Sequence, residues 1–295
     1  MRGNVTPGDV TPGVVAAGAV TPGTKAREAV TRGIGQPGAL ADRMLIGVVS
    51  ALLLLPVLAV GVNAVATDWY SGLAPAGLTL DWFGTVLGNP AFQAALGRSL
   101  FIAAGSVVLQ VLVSVPAILA AHCYLPWLDR WMERLVVLPY ALPQVVLVVG
   151  LLGIYANDPL VLIGTPWILL LGYLPLAFPL LYLPLKNNLR ALPVQELLDA
   201  GHLVGASDLV ITRRVILPCV AQGLVVGLSM VFALGFAEFV FANMLVGGNF
   251  QTLAIYLFGQ RQKVGQVTAV IVVVYFAAMW LSTVVALSTL RRHPA

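Results

Sequence analysis

Charge is what this 295-residue chain has least of. Asp, Glu, Lys and Arg make up 9% of it and hydrophobic residues 59%, against about 25% charged residues in an ordinary soluble domain. So little charge excludes a water-soluble globular fold and points to an integral membrane protein. Cysteine is equally scarce. Cys123 and Cys219 are the two present, too few for a disulfide framework, and both fall near the side assigned below to the reducing cytoplasm. We read both as small structural residues. His122, His202 and His293 stand far apart with no metal-ligand spacing, so no metal site is expected, and His122 beside Cys123 reads as an interfacial pair. Neither a nucleophile–base–acid arrangement nor a G-x-x-x-x-G-K-[ST] phosphate loop occurs. The chain should therefore catalyse nothing itself. Its net charge of +4 is spread over loops rather than clustered, which argues for membrane topology and against nucleic-acid binding.

Residues 1–40 carry a degenerate repeat, Val5-Thr6-Pro7-Gly8, Val10-Thr11-Pro12-Gly13, Val20-Thr21-Pro22-Gly23 and Val30-Thr31-Arg32-Gly33. Proline and glycine in nearly every unit prevent a helix, and few large apolar residues are present to build a core. A disordered cytoplasmic tail is expected, without the apolar region of a cleaved signal peptide.

Uncharged runs then recur, and about 20 residues suffice to cross the hydrocarbon core. They predict six transmembrane helices, over 44–66, 99–121, 135–155, 160–183, 219–246 and 267–290. Residues 250–259 are too short to span and are placed at the outer interface or partly re-entrant. Pro139, Pro143, Pro166, Pro175 and Pro179 should kink the third and fourth spans, and the carbonyls they free need neighbouring helices or water. All Lys and Arg except Arg98, Arg261 and Lys263 fall on the side of the N-terminus. By the positive-inside rule both termini are cytoplasmic. The fold class expected is an all-α membrane protein, its six-helix domain covering residues 41–295.

The exception to this oily pattern is Pro193 to Pro218, a polar insert between spans four and five. Pro193 suits a helix start, and Glu196 and Asp199 lie where the helix dipole favours acids. Val194, Leu197, Leu198 and Gly201 share one face. Gly205 can end the helix with positive φ, and Ser207 can cap a second helix ending at Arg213-Arg214. A helix–turn–helix across the cytoplasmic mouth follows.

In that insert, Asp199-Ala200-Gly201, Gly205-Ala206-Ser207 and Val215-Ile216-Leu217-Pro218 resemble the EAA loop of permease subunits of binding-protein-dependent ABC importers. The family pattern is E-A-A, three residues, G, nine residues, I-x-L-P; here its glutamate is Asp199 and its second alanine Gly201. The resemblance covers about residues 40–292 and implies a type I importer permease in a bacterial inner membrane. Its coupling loop would be 186–217, with the ATPase contact made by Asp199, Ala200, Gly201, Gly205, Ala206 and Ser207. It also implies the partners: two ATPase subunits, which would bind ATP and Mg, a second permease (the same chain or a paralogue), and an extracytoplasmic substrate-binding protein. No cofactor on this chain is implied.

Glu238 is the one carboxylate placed inside a span, and an ionisable residue there is a functional candidate. Twenty residues beyond Pro218, at about 1.5 Å each, put it about 30 Å up the helix, so it either lines the solute path or sits at the outer interface. Gly223 and Gly227 form a G-x-x-x-G pair, extended by Gly235, that suits close helix packing. At about 100° per residue, Glu238 returns to nearly the face of Gly227. The stretch from Gly235 to Tyr256 resembles the branch of these permeases that handles polyamines, aminoethylphosphonate, ferric iron, thiamine and oxyanions. A polyamine or aminoethylphosphonate type is expected. The other solutes of that branch are the alternative, and a self-sufficient secondary transporter is a second alternative, disfavoured by the lack of internal repeats and of charges near the midplane.

Overall fold

The computed structural model describes residues 39–67, 69, 75–261 and 265–292. The proposed disordered tail, up to residue 38, lies outside the described residues, as do Lys263 and His293. Helices account for nearly all of the regular structure: α1 Ala39–Val65, α2 Asp81–Leu87, α3 Pro90–Tyr124, α4 Pro126–Leu135, α5 Leu138–Ala141, α6 Gln144–Tyr155, α7 Pro166–Arg190, α8 Val194–Leu203, α9 Asp208–Cys219, α10 Ala221–Ala237, α11 Val240–Leu245, α12 Leu253–Gly259 and α13 Gly265–Arg292. The chain divides at Pro56 into two units, the first holding the opening turns of α1 and the second everything from Val57 onward.

Four helices among the described residues are long and apolar enough to cross a membrane, over Asp42–Val65, Pro90–Tyr124, Pro166–Arg190 and Gly265–Val285. The third and fifth expected spans are each broken instead. Pro126–Ala141 and Gln144–Tyr155 meet at 99°, and Asp208–Cys219 and Ala221–Ala237 meet at 75°. Six crossings result if each bent pair counts as one. The first break is caused by Pro143, which forces Leu142 into extended backbone (φ −99°, ψ 136°). Two further corrections concern loops. Helix α7 starts at Pro166 rather than near Leu160, because proline is suited to N1. Residues 127–134, read as a loop, form α4.

Two prolines share a consequence that Pro56 in α1 and Pro175, Pro179 and Pro184 in α7 do not. Pro116 and Pro218 each follow by two residues a π-helical turn, Gln110–Ser114 and Thr212–Ile216. The extra residue in the turn accommodates a ring that would collide with the carbonyl four residues back. Gln110, fully buried in the first of these turns, donates from Nε2 to the Leu174 carbonyl beside Pro175 on α7, at 2.8 Å.

Helix α10 is the centre of the second unit, packing most extensively on α7, then on α3 and α13. Its glycines allow that. A Cβ on Gly223 would lie 2.6 Å from the Pro184 carbonyl oxygen, and one on Gly227 3.0 Å from the Leu181 Cα, both on α7. On Gly235 it would lie 3.1 Å from the Ala103 Cα on α3. Without such close approach the two pairs of backbones would have to separate. Gly223→Ala is expected to cost about 1–3 kcal/mol and to lower the thermal unfolding midpoint in detergent. Gly150→Ala, which meets nothing within 4 Å, should not, so equal midpoints for the two variants would contradict this packing.

Candidate functional site

The insert forms a hairpin of α8 and α9 whose inner face is part of the core. Val194, Leu198, Ile211 and Ile216 are buried in one apolar cluster with Ile118 and Leu119 of α3 and Leu181, Leu185 and Leu189 of α7. Between the two helices, Gly205 adopts φ +76°. Its N–H donates to the His202 carbonyl at 2.9 Å, and the Ala206 N–H donates to the Gly201 carbonyl at 3.0 Å. This pair of bonds is the Schellman closure, which needs a left-handed residue and so favours glycine. Across the turn, His202 Nε2 lies 2.7 Å from Asp208 Oδ1. The first turn of α9 is tied to α3 by the Tyr124 hydroxyl, 2.7 Å from Thr212 Oγ1 and donating to the Asp208 carbonyl at 3.2 Å.

Of the six residues assigned to an ATPase contact, Asp199, Ala200, Gly205 and Ser207 are exposed. Gly201 and Ala206 are half-buried and turned inward: Ala206 packs on the core cluster, and a Cβ on Gly201 would meet Ile211 Cδ1 at 2.5 Å. Glycine at this departure from the alanine of the EAA pattern therefore coincides with a neighbouring isoleucine that fills the space. Three details differ from expectation. Pro193 is the residue before α8 rather than its first. Ser207 occupies the cap position of α9 without a side-chain capping bond. Nor does α9 end at Arg213-Arg214, because the π turn carries it on to Cys219.

Sequence reasoning missed the hairpin's tip. Leu203, Val204 and Leu209 are 88%, 82% and 76% exposed, three large apolar side chains grouped around the turn. Their position could have been read from Gly205 and Ser207, since residues beside a helix–turn–helix bend have no core to enter.

Glu238 is not inside a helix. Helix α10 ends at Ala237, and Glu238 has extended backbone (φ −67°, ψ 129°) at the break before α11. Its side chain explains the restart. Oε1 accepts from the Phe241 N–H at 3.0 Å, and Oε2 accepts from the Ala242 N–H at 3.1 Å and the Tyr173 hydroxyl at 2.8 Å. The carboxylate thus takes up orphan donors at the start of α11, where negative charge is favoured. Counting rise and rotation along one helix from Pro218 or Gly227 fails here, because the chain bends at Val220 and breaks at Glu238. The half-buried Glu238 also lines a cleft of about 550 Å³ with Gln144, Met230, Phe239 and Met279.

His122, read as an interfacial residue, belongs to a charged cluster. The Lys186 ammonium pairs with both oxygens of Asp129, lies 2.9 Å from His122 Nδ1 and reaches Glu133 Oε1 at 3.4 Å. Arg190 donates to Glu133 Oε1 at 2.6 Å. Among the described residues no three His, Cys, Asp or Glu side chains are placed to hold a metal. Cys123 is buried, whereas Cys219 is exposed.

A family model described as the binding-protein-dependent transport system inner membrane component matches residues 113–292, which include the hairpin, Glu238 and α13. The chain is similar to a putative 2-aminoethylphosphonate transport system permease protein, PhnV, of Salmonella paratyphi A, at 26% identity over 226 residues, covering 75% of this chain and 84% of that one. It is also similar to the spermidine/putrescine transport system permease protein PotC of Haemophilus influenzae, at 23% identity over 246 residues, with 81% and 93% covered. In fold it resembles a chain of a bacterial ABC transporter involved in the import of the acidic polysaccharide alginate. There the TM-score is 0.67 at 14% identity, over 91% of this chain and 98% of that one. With the family model matching more than half of its length, the chain belongs to the inner membrane components of binding-protein-dependent transport systems.

Proposed function

We propose that this chain forms half of the translocation pore of an ATP-driven importer, and that the α8–α9 hairpin is where separate ATPase subunits dock. The observation that carries this is the exposed apolar tip on a rigid base. Leu203, Val204 and Leu209 are exposed at the tip of a polar insert, while the opposite face of the same hairpin is buried in the core cluster with α7. An exposed apolar group on a structured element is the mark of an interaction site. Movement of such a tip is passed to α7 through packed side chains. The chain has no phosphate loop of its own, so ATP and Mg belong to the partner. A second permease, the same chain or a paralogue, completes the pore, and a substrate-binding protein delivers solute on the opposite side. The basic loops favour the hairpin and both termini on the cytoplasmic side of a bacterial inner membrane.

For the solute we propose an amino-bearing molecule of the polyamine or aminoethylphosphonate type. The relatives named for aminoethylphosphonate and for spermidine and putrescine favour it. So does the carboxylate at the cleft. Two carboxylate oxygens offer about four acceptor sites, and Glu238 uses three on its own chain, which leaves one on Oε1 for an ammonium. A relative named for Fe(3+) transport keeps iron as the alternative.

Two experiments test these assignments. The double variant Leu203→Asp/Leu209→Asp, at exposed positions that folding does not need, is expected to reduce co-purification of the ATPase subunit at least tenfold with unchanged amounts of this chain in the membrane. Undiminished co-purification would sink the docking assignment. In proteoliposomes carrying the full complex, one of spermidine, putrescine and 2-aminoethylphosphonate should enter in an ATP-dependent manner. Glu238→Gln should lower that uptake about tenfold while leaving assembly intact. Uptake of Fe(3+) alone, or wild-type kinetics in the variant, would reject the amino-bearing solute.

A further inference from the structure

Helix α4 is short, charged and set across the spans. Leu125 alone joins it to the end of α3, on which it packs. Together with α5 it meets α6 at 99°, so with α6 along the bilayer normal α4 lies close to the bilayer plane. Its inner side is anchored: Met132 packs on the core cluster, and Val136, the residue after the helix, is buried in it. At about 100° per residue, Asp129, Met132 and Glu133 share that inner side. Trp127, Arg130, Trp131 and Arg134 fall half a turn away, and all four are exposed, the two tryptophans by 57% and 52%.

The helix is neutral by count, yet its charges are divided between two sides. Asp129 and Glu133 are neutralised from within the protein by Lys186 and Arg190. Among the described residues no carboxylate pairs with Arg130 or Arg134. Arg130 donates from Nε to the Pro126 carbonyl of its own helix at 3.3 Å, and Arg134 lies over the Trp131 ring at 5.7 Å. The outer face therefore carries two positive charges one turn apart, which repel each other unless an anion lies between them. A phosphate suits them, since each guanidinium is a planar fork that binds phosphate oxygens in pairs.

The same face is graded from polar to apolar around the helix. Arg130 and Arg134 take one edge, Trp127 and Trp131 the middle, and Leu135, also exposed, the other edge. Tryptophan and arginine side by side belong to the headgroup level of a bilayer, and a helix so built lies in the interface with its apolar edge toward the acyl chains. The apolar edge also continues onto a span. Val137, Leu138, Tyr140 and Leu142 are exposed on the way to Val145 and Val146 of α6, and no charged residue occurs from Leu135 to Tyr155. A surface that runs without a polar break from α4 onto a span favours lipid over a water-soluble protein as its cover.

We propose that α4 is a lipid-binding element: Arg130 and Arg134 hold the phosphate of an anionic phospholipid in the leaflet on the hairpin side, and Trp127, Trp131 and Leu135 lie against its glycerol and upper acyl chains. The test places the complex of this chain with its partner permease and ATPase in nanodiscs of phosphatidylcholine, alone or mixed with phosphatidylglycerol, and follows the thermal unfolding midpoint of this chain. The wild type should unfold about 3 °C higher with phosphatidylglycerol present. The double variant Arg130→Gln/Arg134→Gln should lose most of that rise while matching the wild type in phosphatidylcholine alone, and Arg130→Lys/Arg134→Lys should keep at least half of it. The site is overturned if the wild type shows no rise, if the glutamine variant keeps the whole rise, or if that variant is lowered equally in both lipids, as a purely structural role would require. An equal rise from inorganic phosphate added to phosphatidylcholine discs would make free phosphate the ligand and overturn the lipid. Loss of ATPase co-purification in the glutamine variant would show that protein covers this face, and overturns it too.

Discussion

The hairpin end of the protein depends on one burial. Val194 and Leu198 from α8 and Ile211 and Ile216 from α9 share a cluster with α3 and α7, and each such side chain stabilises by about 1.5–3 kcal/mol when fully buried. This seats the polar insert on the bundle as a fixed projection rather than a loose loop. The remaining features of the insert follow from that seat. With one face committed to the core, the turn at Gly205 must point away from it, and the apolar residues beside the turn have nowhere to go but outward. The same cluster makes the hairpin mechanically continuous with α7, whose Leu181 also lies against Gly227 of α10.

Helix breaks are the second organising element. Pro143 separates α6 from the amphipathic α4–α5 segment, the bend at Val220 separates the hairpin from α10, and Glu238 separates α10 from α11. Two of these breaks have a chemical cause. Pro143 forbids α-helical backbone before it, and Glu238 supplies acceptors to two N–H groups that begin the next helix. The carboxylate therefore has a structural duty independent of any solute, and its position beside the cleft of Gln144 and Met279 is what makes a second duty worth testing.

Much of this was legible in the sequence. Uncharged runs gave the apolar spans, because the bilayer imposes a length that composition must meet. Glycine at 205 announced a left-handed turn, since few other residues take that backbone conformation without strain. Legibility ended where local pattern and tertiary context diverge. Nothing near Glu238 signals that its own side chain will restart a helix. Residues 127–134 look like a charged loop because the partners of Asp129 and Glu133 lie on α7, 57 residues away. Lys186 carried no mark of burial, for a lone lysine at the end of a span is usually expected to snorkel into water; here two carboxylates and an imidazole let it stay inside.

The central claim, that the α8–α9 tip meets a separate ATPase subunit, is tested most directly by proximity. In a Cys219→Ser background, Leu209→Cys is treated with a short thiol-to-amine cross-linker in membranes holding the intact complex, beside Leu171→Cys on the exposed side of α7 as control. The account predicts an adduct of this chain with the ATPase subunit from Leu209→Cys and none from Leu171→Cys. An intact complex in which Leu209→Cys gives no such adduct, or in which the two positions react alike, would contradict it.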